Sequence, residues 1–153
     1  MPSDAPVLFL DIDGVLNSAA WMEHGTMHGH NLGAIDPAAC ALLDTVLVAT
    51  GAVIVLSSSW RIVVDPPKMQ TFLHVRGCPS AQVIDRTGGY SGPRGSQIQR
   101  WLDGHPDRKR FAILDDSSDM EQLLPRLIQT SWARGLEAEH LGPLTEMLLR
   151  EPE

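Results

Sequence analysis

Short apolar runs alternate along this chain with longer amphipathic segments, and several runs stop abruptly on polar residues. Val7-Leu8-Phe9-Leu10 is continuous rather than alternating, as a strand buried on both faces requires. Ala52-Val53-Ile54-Val55-Leu56 and Phe111-Ala112-Ile113-Leu114 have the same form; Gln82 to Asp85 and Leu127 to Gln129 are weaker versions. Between them lie helical segments. Asp36-Pro37 predicts an N-cap and first turn, with the helix stopping at Gly51. Pro66-Pro67 breaks the chain, and a short helix is expected from there to Gly77. A Gly-rich loop from Gly88 to Gly95 leads into an amphipathic helix over Ser96 to Leu102, and a last helix runs from about Glu137 to Leu149. Strands alternating with helices predict an α/β domain, a parallel sheet with helices on both faces. Asn17 to Ile35, rich in Gly, His and Met without a period, reads as a loop or flap. It is the only long insertion, so at most a minimal cap is expected.

Length and composition narrow the picture. The chain has 153 residues, 43% hydrophobic and 20% charged, and residues 1–153 are expected to form one soluble domain. Twelve basic against nineteen acidic residues give 12 − 19 = −7. That balance argues against a broad basic nucleic-acid-binding face, though not against a local basic pocket. Cys40 and Cys78 fit no metal spacing and read as free thiols of a reducing compartment. The N-terminus lacks the basic region of a signal peptide, and no stretch is long enough to span a membrane. A cytoplasmic protein is expected, its oligomeric state open.

Three strand ends carry the chemistry: Asp11 and Asp13, Ser57 and Ser58, Asp115 and Asp116. An aspartate after a strand often only caps a turn, so one acidic end would mean little. In a parallel sheet, however, all three ends share one edge, where open α/β sheets bind ligands. Four carboxylates gathered there repel one another, and a divalent cation relieves the repulsion. An all-oxygen site suits Mg²⁺ with a substrate phosphate. A phosphoryl group also needs a cation and a hydroxyl, which Arg94 (in Gly92-Pro93-Arg94-Gly95, just before a helix) and Ser57 can supply.

Asp11-Ile12-Asp13-Gly14-Val15-Leu16, Ser57, Arg94 and Asp115-Asp116, in this order, resemble the four motifs of the haloacid dehalogenase-like (HAD) phosphatases. The resemblance implies a Rossmann-like five-stranded sheet of order 5-4-1-2-3. It implies Asp11 as the nucleophile forming an aspartyl-phosphate and Asp13 as general acid and base. Ser57, or Ser58 if the register differs by one, would bind the phosphoryl oxygens with Arg94. Asp116 would be a direct metal ligand, with Asp115 direct or through water; Asp11 and Asp13 complete the expected set. Asp119 is a further candidate. Ser57-Ser58-Ser59-Trp60-Arg61, Arg94-Gly95-Ser96-Gln97-Ile98 with Trp101-Leu102, Ile113-Leu114-Asp115-Asp116 and Gly135-Leu136 narrow the match. Together they resemble the HAD domains of the Swiss Army knife RNA-repair group, and imply a phosphorylated substrate such as a polynucleotide end.

Other features weigh less. Arg61 is poised between binding a second phosphate and being a surface arginine. His24, His28 and His30 read as a solvated loop more readily than as a metal cluster. Trp21 is either a stacking surface or flap packing; Trp60, Trp101 and Trp132 are assigned to the core or its rim. The glycines from Gly88 to Gly95 lack the spacing of an ATP-binding loop. The expected activity is thus Mg²⁺-dependent phosphomonoester hydrolysis, with a small nucleotide or sugar phosphate as the alternative substrate. A non-catalytic HAD scaffold that binds a partner is the other alternative.

Overall fold

The computed structural model describes residues 4–23, 31–88 and 92–152. Five strands form one sheet: β1 (Val7–Leu10), β2 (Val53–Leu56), β3 (Val83–Arg86), β4 (Phe111–Asp115) and β5 (Leu127–Gln129). All pairs are parallel, in the order β3-β2-β1-β4-β5, which is the expected order read from the other edge. Every residue of β1 is buried, because β1 is central and covered on both faces.

The helices are α1 (Ala19–Met22), α2 (Pro37–Thr50), α3 (Pro66–Val75), α4 (Arg94–Asp103) and α5 (Leu141–Leu149). Asp36 accepts from the Ala38 amide ahead of Pro37, and Gly51 closes α2 at φ 69°. Asp65 caps α3 in the same way, so Pro66 and Pro67 are the first turn of that helix rather than a break before it. The final helical segment opens as a 3-10 turn, Ala138–His140, before α5.

Alternate strand residues feed two cores. Leu8, Leu10, Ile54, Leu56, Ala112 and Leu114 pack with α2, α3 and α5. Val7, Phe9, Val53, Val55, Phe111 and Ile113 pack with Ile98 and Trp101 of α4. Phe9 meets Trp101 and Phe111 edge-on, at ring separations of 5.4 and 5.9 Å. The chain leaves β1 for β2 and β3 on one side, then crosses under α4 to β4 on the other. The carboxyl ends of β1 and β4 therefore flank the topological switch point, where such sheets open a crevice.

Two further expectations change. α4 begins at Arg94, not at Ser96, so Arg94 lies in the first helical turn and not in the preceding loop. Trp132 is 48% exposed. It sits in the turn closed by the Ser131–Gly135 bridge, where its carbonyl accepts from Ala19 at the start of α1.

Candidate active site

Strand alternation continues past the strand ends and decides which side chains meet. Leu10 pairs with Leu56 and with Leu114, so Asp115, Asp11 and Ser57 come level across β4, β1 and β2. The ladder extends by the Asp11 amide on Leu114 and the Ser57 amide on Leu10, both at 3.0 Å. These three side chains fall on the same face as Phe9, Val55 and Ile113, the face covered by α4. There Arg94 reaches the two carboxylates, its guanidinium 2.6 Å from Asp115 Oδ2 and 3.3 Å from Asp11 Oδ1.

Arg94 is held there by an unusually close helix start. The Gly95 amide donates to the Asp119 carbonyl at 2.9 Å. A Cβ on Gly95 would run into the Met120 carbonyl, so only glycine lets α4 dock this near the loop after β4. Asp119, exposed, accepts weakly from the Arg94 amide and lies outside the carboxylate cluster.

That cluster consists of Asp11, Asp115 and Asp116, each offering an oxygen within 4.8 Å of the others. Burial pushes the Asp11 carboxyl up to about 8; Asp115 adds to the shift and Arg94 opposes it. Asp116 is also raised, first by burial and then by Asp115. Burial would lower the Arg94 pKa, but Asp11 and Asp115 outweigh it and hold the guanidinium above its ordinary value. Oxygen-only donors with excess negative charge fit a hard divalent cation such as Mg²⁺. Gly14, at φ 81°, makes room for the cluster, since a Cβ there would collide with the Asp116 carboxylate.

Asp13 is not in that group of three. Its Oδ1 accepts from Asn17 Nδ2 at 2.9 Å and from the Trp60 indole at 3.0 Å. Asn17 is fixed in turn by the Gly14 amide, which donates to its Oδ1. Gly135, at φ 68°, lies against the Val15 and Asn17 carbonyls, and the Leu136 amide donates to Val15. Trp60 is fully buried, as expected, yet it also orients a site residue. Its apolar character hid that second role.

The two serines differ. Ser58 Oγ accepts from the Trp60 amide and caps the 3-10 turn Ser59–Ile62. Ser57 Oγ is fully buried with no hydrogen-bond partner among the described residues. Leaving a hydroxyl unpaired costs about 1–3 kcal/mol. Arg61 is 5% exposed rather than a surface residue, bonded to the Ser58 carbonyl and to Gln97 Oε1. Trp21 is half-buried under the Arg76 guanidinium. His24, His28 and His30 lie outside the described residues.

The family described as "HAD domain in Swiss Army Knife RNA repair proteins" matches residues 7–141. The chain belongs to this HAD family. Comparison with curated proteins and with solved structures gives no match. The HAD match spans all five strands and ends at the start of α5, so it takes in every residue of the site above. As a HAD domain the chain falls, at the coarse level, among phosphatase-type hydrolases with a phosphorylated substrate. Among the described residues no helix is long and apolar enough to cross a membrane.

Proposed function

We propose that this HAD domain is a Mg²⁺-dependent phosphomonoester hydrolase that works through an aspartyl-phosphate on Asp11. The observation that carries the reading is the meeting of Asp11, Asp115 and Asp116 under Arg94, beside the unpaired Ser57 hydroxyl.

Asp11 attacks phosphorus, forming the carboxylate O–P bond as the ester P–O bond breaks. The Ile12 amide, 2.9 Å from Oδ1, fixes the direction of that carboxylate. Asp13, with Oδ1 occupied by Asn17 and Trp60, uses Oδ2 to protonate the departing alcohol. It then takes a proton from the water that hydrolyses the acyl phosphate, which frees Asp11 and inorganic phosphate. Ser57 donates its hydroxyl to a phosphoryl oxygen, and Arg94 balances charge on the others. Asp11, Asp115 and Asp116 would hold Mg²⁺, whose charge offsets the repulsion between a carboxylate nucleophile and an anionic ester.

The substrate we favour is a phosphorylated nucleic-acid end, supported by the RNA-repair proteins in which the family occurs. A small nucleotide or sugar phosphate is the second reading, supported by the net charge of −7. The buried free thiols Cys40 and Cys78 support a cytoplasmic setting. Phosphate release from mononucleotides, sugar phosphates and 5′- or 3′-phosphorylated oligonucleotides, with Mg²⁺ or with EDTA, tests the reading. Mg²⁺-dependent release that disappears in Asp11→Asn is expected; release that survives that substitution overturns it.

A further inference from the structure

The same sheet edge carries a fourth polar side chain that the hydrolysis above does not use. Leu56 pairs with Arg86, so Thr87 comes level with Ser57 one strand further out, and its amide donates to the Leu56 carbonyl at 3.0 Å. Asp85, two residues earlier, bonds the Trp101 indole of α4 at 2.8 Å, so alternation puts Thr87 on the α4 face as well. Asp115, Asp11, Ser57 and Thr87 thus form one row across β4, β1, β2 and β3. Thr87 is 2% exposed, and its hydroxyl, like that of Ser57, has no hydrogen-bond partner among the described residues.

Arg94, which meets Asp11 and Asp115 of this row, also lines a cleft of about 260 Å³ between the turn after β2 and the start of α4. Ser59 and Arg61 line one wall, Arg94 and Gln97 the other. Arg61 is buried and pinned to both walls by its bonds to Ser58 O and Gln97 Oε1. The acidic residue in the lining, Asp119, is engaged with the Arg94 amide. Two arginines in a site this small exceed what one transferred phosphoryl group needs.

We propose that this cleft is a second anion subsite, in which Arg61 and the Thr87 hydroxyl hold a non-reacting phosphate of the substrate. The inference rests on the phosphatase reading for what happens at Asp11 but not for binding in the cleft. Strands lie ~4.8 Å apart, so Thr87 is about two spacings from Asp11, too far for the group being transferred. The ligand class is a phosphomonoester with another phosphate about one sugar away, whether a nucleoside bisphosphate or the end of a polynucleotide.

The test uses the full Mg²⁺-loaded chain carrying Asp11→Asn, so that ligands persist. Calorimetry compares AMP with adenosine 3′,5′-bisphosphate and with a 5′-phosphorylated dinucleotide, whose second phosphate is a diester. At least one two-phosphate ligand should bind about tenfold tighter than AMP, and which one does identifies the source. Thr87→Val, which keeps shape and removes only the hydroxyl, should cut that ratio about threefold or more, and Arg61→Lys should do the same. Equal affinity for all three ligands, or ratios unchanged in both variants, overturns the subsite. Turnover by the Asp11 chain separates the two readings. Normal turnover without a two-phosphate preference sinks the subsite alone. A preference that depends on Thr87, with no turnover of any ester, leaves the subsite standing and sinks the phosphatase.

Discussion

Trp60 and Asp13, 47 residues apart, are joined by a 3.0 Å hydrogen bond from the indole N–H to Oδ1. It ties the turn that follows Ser57 to the aspartate assigned to proton transfer. Trp60→Phe removes the donor and keeps most of the packing. A hydrogen bond to a charged group is worth about 1.5–3 kcal/mol, so turnover should fall about tenfold or more. The loss should be larger for alkyl phosphates than for aryl phosphates with good leaving groups, because only the former need a well-placed acid. Equal losses on both substrate types would show that Trp60 only packs.

Asp11→Asn should reduce hydrolysis by several orders of magnitude, since an amide cannot form the acyl phosphate. The same substitution removes a carboxylate that burial and Asp115 oppose. The metal-free variant should therefore melt at a higher temperature than the parent chain at pH 8 to 9. Calorimetry in EDTA checks this; a lower melting temperature would refute the electrostatic account.

The pH dependence has a definite sign. Folding raises the Asp11 pKa from 3.8 to about 8, so between those values the folded chain keeps a proton that the unfolded chain has lost. Metal-free stability should therefore decline as pH rises through that window and flatten above it. Millimolar Mg²⁺ should oppose the decline by favouring the ionised cluster. Melting temperatures at pH 5, 7 and 9, with EDTA and with Mg²⁺, measure both effects. A metal-free midpoint that climbs steadily from pH 5 to 9 contradicts this assignment.

Gly14→Ala should act on the metal site more than on the core. The added methyl collides with the Asp116 carboxylate, and φ of 81° strains any side chain there. Magnesium affinity should drop by about tenfold or more, which calorimetric titration reads directly. An affinity equal to that of the parent chain would remove Asp116 from the ligand set.

How much of this was legible depended on burial pattern. The runs at Val7, Val53 and Phe111 announced their strands because both faces of a central parallel strand must be apolar. Their polar ends then located the carboxylates and the serine at the shared edge. The start of α4 was hidden, because Gly95 in the first turn normally argues against a helix and only docking on Met120 explains it. Arg94 is therefore legible by type, while its helical placement is not. Trp60 read correctly as core, but a single indole N–H leaves no periodic trace. Thr87 carries no pattern at all; only register with Ser57 brings it into view.

The division of the interior into two cores gives the site a weak seam. Asp11, Ser57 and Asp115 ride on the sheet, whereas Arg94 arrives on α4, which leans on the smaller core through Ile98 and Trp101. Detaching that one helix would strip the cation from the carboxylates while leaving β1 to β4 paired. Amides of α4 should then exchange with solvent ahead of those in β1, in a partial opening that silences the site before the fold is lost.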